Sequence, residues 1–279
     1  MAKYSMQDLK ELREETGAGL ADVKKALEEA EGDREKALQI IRVKGLKSLS
    51  KREGRSAGMG LIAAKITDTA AGQRGTLVEV NAETDFVVKT EKFINMAEVV
   101  LQAAAESGAS TTEELMKAKT ADGTVKDTID AVAAIIGEKL DVANVRQVEG
   151  EAVDVYLHKS SQDLPPTVGV LVATDKAGAG VAHDVAMHIA AYSPEYLSRD
   201  EVPAEAVEKE RETLTEATIA EGKPEAAVAK IVEGKMNGFF KENVLLDQPY
   251  AKDSKTTVGK IVEASKGKVT GFARLQAGE

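Results

Sequence analysis

The spacing of apolar residues changes along this chain, and that change restricts its folds more than any single motif does. Over the first 45 residues the spacing is helical. Ser5 with Asp8 predicts an N-terminal cap, and Leu9 and Leu12 begin an apolar stripe that Thr16-Gly17-Ala18-Gly19 interrupts. Leu20, Val23, Ala26, Leu27 and Ala30 resume it as far as Glu31-Gly32-Asp33. Ala37, Ile40, Ile41 and Lys44 then carry a third helix that Gly45 is placed to close. Three short helices can bury one face each, so residues 1–55, with a basic linker at their end, are expected to form a small docking domain.

After the linker, short β-type runs take over. Gly60–Thr67 and Gly75–Val80 flank a turn-rich gap at 68–74. Phe93, Ala97, Val100, Leu101 and Ala104 mark a helix face, and another helix is predicted at about Thr124–Lys139. The pattern returns with Ala152–His158 and Thr167–Ala173 around Pro165-Pro166, then a helix at about Val181–Tyr192. Strand, turn, strand, helix thus occurs twice. This predicts an α+β fold with two related core subdomains, one over 56–150 and the other over 151–203 with 237–279. Residues 204–236 read as a charged helical hairpin about Gly222-Lys223-Pro224, inserted into the second subdomain, and a last strand is predicted at Gly267–Leu275.

Composition narrows the function. With 43% apolar and 30% charged residues in 279, the chain has the balance of a globular protein. No stretch approaches the roughly 20 apolar residues of a membrane helix, and the N-terminus is charged at once, so a cytoplasmic protein with no membrane contact is expected. The absence of cysteine excludes disulfides, thiolate zinc sites and thiol nucleophiles. A net charge of −10 and 4% aromatic residues argue against direct nucleic-acid binding. Arg42, Lys44, Lys47, Lys51, Arg52 and Arg55 face only Glu53; so short a basic run reads as a solvated linker.

No phosphate-binding loop is present, and Gly17-Ala18-Gly19 and Gly178-Ala179-Gly180 lack the rest of a dinucleotide fingerprint. His183 and His188 are five apart, which turns them onto different helix faces, unlike the four-residue spacing of a helical zinc pair. No metal, cofactor or bond chemistry is expected. His188, beside Val185 and Ile189, defaults to a structural role.

Two segments carry more than generic patterning: Leu12-Arg13-Glu14-Glu15-Thr16-Gly17-Ala18-Gly19 with Asp22-Val23-Lys24-Lys25-Ala26-Leu27, and Glu79-Val80-Asn81-Ala82-Glu83-Thr84-Asp85-Phe86-Val87. Together they closely resemble the bacterial elongation factor Ts family, the guanine-nucleotide exchange factors of elongation factor Tu. Ala186-Met187-His188-Ile189-Ala190-Ala191, Glu233-Gly234-Lys235-Met236 and Gln248-Pro249-Tyr250 match in the family's order, over essentially the whole chain. The resemblance implies a three-helix module like ubiquitin-associated domains, the two core subdomains, and a hairpin through which some members form a homodimer. It also implies that the partner is elongation factor Tu, GDP-bound and nucleotide-free. Thr84, Asp85, Phe86 and Val87 would lie against the partner's G domain, with Phe86 wedged near the magnesium and phosphate side. Arg13, Lys24, Ile136 and Gly137 would approach the partner, and His188 would face its third domain. Three departures stand out: Ala82 where relatives often have cysteine, Leu20-Ala21 where some have two methionines, and an end at Leu275–Glu279 where some continue into a helical module. The contact made by that module is expected to be absent.

On the residues alone, Phe86 has two open readings. Seven residues before Phe93, it is core if the helix begins early; in the polar stretch Asn81–Asp85 it belongs to a loop, with Thr90 as the later cap. The resemblance favours the loop, with Asp85 accepting hydrogen bonds that hold it.

Overall fold

The first helix starts where Ser5 and Asp8 satisfy each other's backbone. Ser5 Oγ accepts from the Asp8 amide at 3.1 Å, and Asp8 Oδ2 accepts from the Ser5 amide at 2.7 Å. In the computed structural model, which describes residues 4–49 and 51–279, this helix (α1, Met6–Thr16) ends on Gly17 at φ 70°. Helices α2 (Leu20–Glu29) and α3 (Arg34–Ser48) follow, and Leu9, Leu12, Val23, Ala26, Leu27, Ala37 and Ile41 close a small core between them. Gly45 does not end α3, which continues to Ser48; it is buried within it. A Cβ at Gly45 would lie 1.6 Å from the carbonyl oxygen of Ala134, so this glycine permits two helix backbones to touch.

Strands β1 (Met59–Thr69) and β2 (Gly72–Ala82) form a hairpin with only Ala70-Ala71 between them, tighter than the expected gap. A single turn, α4 (Asp85–Val88), leads to α5 (Glu91–Ser107), α6 (Thr112–Lys117), a short ladder of β3 (Lys119–Thr120) with β4 (Gly123–Thr124), and α7 (Val125–Ile136). Gly137, at φ 89°, stops α7 before the predicted Lys139. The chain then enters β5 (Leu140–Gly150), antiparallel to β2, completing a sheet of order β1-β2-β5. Sequence reasoning missed α6 and β5. Asp141, Asn144 and Gly150 weaken the β signal of β5, and a register shift at Glu79/Val80 disrupts its alternation.

The second half repeats this order. Hairpin strands β6 (Ala152–His158) and β7 (Val168–Thr174) lead to α8 (Ala179–Tyr192). The charged hairpin follows as α9 (Ala204–Ala220) and α10 (Glu225–Asn243), the latter running beyond Met236. A short ladder of β8 (Pro249–Tyr250) with β9 (Asp253–Thr257) precedes α11 (Val258–Ala264) and β10 (Val269–Gln276), which pairs antiparallel with β7 in a sheet of order β10-β7-β6. In both halves the third strand returns beside the second after a helical excursion.

The two sheets pack face to face. Ile62 and Leu77 of the first meet Val153, Leu171, Ala173, Ala273 and Leu275 of the second. The opposite faces carry helices: Leu61, Val78 and Val80 meet α5 and α7, while Val170 and Val172 meet α8 and α11. Both faces of β2 are therefore buried, without a break from Gly75 to Ala82, so Thr76, Glu79 and Asn81 lie inside with the apolar residues. Gly169 lets the sheets approach, since a Cβ there would stand 2.4 Å from Ile62 Cγ2. The outward edge of β1 is covered at one point, where the Ile62 amide donates to the Pro166 carbonyl at 2.8 Å; the next residue, Thr167, accepts from the Ala277 amide at 2.8 Å and so extends the β10–β7 ladder.

Gly45→Ala offers a test of the α3–α7 contact. Helix propensity alone would favour alanine by about 1 kcal/mol, but the overpacked contact should cost ~1–3 kcal/mol. The expected outcome is a lower urea midpoint; an unchanged or higher one would mean the helices do not meet at Gly45.

Candidate functional site

The end of β2 delivers a polar connection to the surface. Ala82 is buried in the strand, Glu83 and Thr84 leave it, and α4 makes one turn before Thr90 caps α5. Thr90 Oγ1 accepts from the Phe93 amide at 3.4 Å and donates to the Val87 carbonyl at 2.8 Å. Val87 and Val88 drop into the first core, so the turn must point Phe86 outward; it is 70% exposed, with Lys89 Nζ 4.9 Å from its ring centroid. The core reading of Phe86 is thereby overturned, and Phe93 takes the core position.

What holds this connection differs from expectation. The Asp85 side chain makes no hydrogen bond or ion pair with any other described residue. Thr84 bonds instead to Glu138, its amide donating to Oε2 at 3.0 Å and its hydroxyl to Oε1 at 2.7 Å. Glu83 Oε1 accepts from the Lys139 amide at 2.6 Å and from Arg55 at 3.2 Å, and Lys139 Nζ donates to the Arg55 carbonyl at 3.0 Å. Sequence reasoning missed Glu138, Glu83 and Lys139. One signal existed: Glu138 directly follows the glycine that ends α7, where a carboxylate opposes the helix dipole unless donors nearby take it up.

The remaining expected site residues divide by exposure. Arg13 on α1 and Lys24 on α2 are exposed, and their side chains bond no other described residue. Gly137 presents its backbone to open space. Ile136 is 4% exposed and packs in the first core against the Gly17 turn, and Val87 is likewise buried, so neither side chain is offered to a partner in the free chain. The basic stretch is not simply a solvated linker. Lys44 pairs with Glu29 at 2.5 Å, and Arg52 donates to the Ala133 carbonyl at 3.1 Å and to Ser48 at 2.6 Å. Burial, and then Arg55 nearby, lowers the pKa of Arg52.

His188 is fully buried, so its ring does not face outward as the resemblance implied. The Ala251 amide donates to Nδ1 at 3.2 Å, leaving Nε2–H to donate to Gln248 Oε1 at 2.8 Å. Gln248 is fixed in that sense because its own amide donates to the Glu242 carbonyl at 2.8 Å. These partners define the neutral Nε2–H tautomer. Burial lowers the histidine pKa from its ordinary 6.5, only partly offset by Gln248. Tyr192, half exposed, stacks on the ring at a centroid distance of 4.7 Å and carries this region to the surface.

An aromatic ring held clear of the surface on a braced turn stands out on this fold of helices packed over two three-stranded sheets, and the chain is an α+β protein. Comparison with known proteins narrows the class. The family model described as Elongation factor TS matches residues 83–279. The Elongation factor Ts of Beutenbergia cavernae is 56% identical over 280 residues, and that of Micrococcus luteus 54% over 281, each alignment covering 100% of both chains. That of Bifidobacterium longum subsp. infantis is 49% identical, covering 100% of this chain and 99% of its own. The chain belongs to the elongation factor Ts family, the translation elongation factors of guanine-nucleotide exchange. Among the described residues, no helix is long and apolar enough to cross a membrane.

The buried neutral His188 sets a pH dependence. With a folded pKa below 6.5, the unfolded chain takes up a proton first as pH falls. The contribution is therefore fully present above 6.5 and is lost as pH falls toward the folded value. Urea midpoints should fall less steeply between neutral and mildly acidic pH in His188→Gln than in the parent chain; equal slopes would show that the ring does not titrate with unfolding.

Proposed function

We propose that this chain binds elongation factor Tu and accelerates GDP release, with Phe86 as the element that disturbs the partner's magnesium and phosphate side. The observation that carries this reading is the exposure of Phe86 on a turn whose neighbours are anchored in the core. An exchange factor must bind the nucleotide-free partner better than the loaded one, and the coupling is reciprocal: it weakens nucleotide binding by the factor by which nucleotide weakens its own. No bond is made or broken. A ring offers a large rigid wedge at small rotamer cost, and seated in the G domain it would shift the surface that holds Mg²⁺. Nucleotide phosphates left less neutralised would depart more easily. Arg13 and Lys24, both exposed and cationic, supply charge for the encounter, and the Gly137 backbone lies open for approach.

The decisive measurement is release of labelled GDP from purified elongation factor Tu with and without this protein; no acceleration at micromolar concentration would defeat the reading. Phe86→Ala should slow stimulated release roughly 30-fold, corresponding to an anchor of about 2 kcal/mol. It should leave the melting temperature nearly unchanged, because a surface truncation opens no cavity. Chelating Mg²⁺ should shrink the mutant's deficit; a deficit of equal size without the ion would place the wedge's action elsewhere.

Arg13→Glu and Lys24→Glu should chiefly slow association, each by a few-fold at low salt and less at high salt. Association unchanged at low ionic strength would remove these positions from the interface.

A further inference from the structure

We propose that Glu138 is the positioning residue that holds Phe86 in its outward pose, acting through the amide and hydroxyl of Thr84. The proposal rests on the reading of Phe86 as the exchange wedge. It starts from an oddity at the head of α4. Thr84 occupies the N-cap position in extended conformation, φ −131° and ψ 152°, yet its hydroxyl makes no capping bond to the turn. A single helical turn is not self-supporting. Val87 and Val88 anchor its far end in the core, while Asp85 bonds no other described residue. The near end is held by Glu138, whose two carboxylate oxygens take both Thr84 donors at 3.0 and 2.7 Å.

The arrangement is reciprocal. Glu138 grips the backbone of the Phe86 connection, while Glu83 of that connection grips the Lys139 amide beside Glu138 at 2.6 Å. Two neighbouring loops thus exchange carboxylates for amides, and neither bond survives if the other loop moves away. Arg55 and Lys139 close the clasp from the linker side. Charge-assisted bonds of this kind are the stronger ones, and a half-buried pair is little screened by solvent. Freed from Glu138, the turn would keep its Val87 and Val88 anchors but lose the fixed departure angle from β2, so Phe86 would sample several directions.

The test uses the full-length chain. In the free protein, Glu138→Ala should raise amide hydrogen exchange over residues 83–88 by at least ~10-fold, the consequence of losing two bonds to a charged acceptor. It should slow stimulated GDP release from elongation factor Tu by a similar factor. Glu138→Gln, able to accept from the amide and donate to the hydroxyl, should recover most of both. Thr84→Val, which keeps the amide bond and loses the hydroxyl one, should fall between. In the Phe86→Ala background, Glu138→Ala should add no further loss of exchange activity, a result that a merely structural role or a separate partner contact would not give.

Unchanged hydrogen exchange over 83–88 in free Glu138→Ala would overturn the proposal. So would an equal fold-loss of GDP release in the wild-type and Phe86→Ala backgrounds, which would give Glu138 a partner contact of its own. If Phe86→Ala alone released GDP at the wild-type rate, the wedge reading would fail, and hydrogen exchange in the free chain would still decide whether Glu138 holds the turn.

Discussion

The contact between the two sheets is what the rest of the molecule is built around. Leu77 and Ile62 on one side, with Leu171 and Ala173 on the other, form an apolar layer whose closeness depends on Gly169. Strand β2 lies at the middle of it, covered by the second sheet on one face and by α5 and α7 on the other. A strand packed on both faces has almost no freedom to tilt. Its last residue therefore delivers Glu83 and Thr84 to the same point each time. The position of an exposed aromatic ring is in this way fixed by side chains buried behind it, and docking Phe86 would involve little loss of backbone freedom.

Much of this was legible in the sequence, and the failures have identifiable causes. Helices with a cap and a stripe were found where they stand: Ser5 with Asp8 opens α1, and Phe93, Ala97, Val100 and Leu101 line the buried face of α5. The repeated order of strand, strand and helix was visible, whereas β5 was not, because its polar residues and register shift obscure the alternation that marks a strand. Gly45 shows the ambiguity of glycine. Near a helix end the residue reads as a stop, and only the backbone of Ala134 reveals that it makes room.

At the site, local pattern could not choose between loop and core for Phe86, since a ring at helical spacing from Phe93 satisfies both. The choice was made by Thr90, whose cap starts α5 only after the one-turn α4 has carried Phe86 past the core. Contacts between residues far apart in sequence were invisible. Thr84 with Glu138, and His188 with Gln248, are separated by more than fifty residues, and no period or motif links them. His188 is the sharper lesson. A residue carried over from a family motif as a surface contact proves to be an interior hydrogen-bonding group with a tyrosine standing between it and solvent.

A sheet of three strands leaves two rows of unpaired amides and carbonyls, and such rows recruit strands from other molecules. Along β1 the segment that takes the Ile62 amide does so through the carbonyl of Pro166, next to Pro165. Neither proline has an N–H to offer beyond that bond. The cover therefore accepts from the strand it protects without presenting a new donor at that point, and growth of the sheet stops there. The same segment takes the Ala277 amide at Thr167, one step beyond the Gln276–Val168 pair, so the cover is itself held by the β10–β7 ladder. Closed at that point by a segment of its own chain, the strand offers a second molecule no continuous ladder to extend.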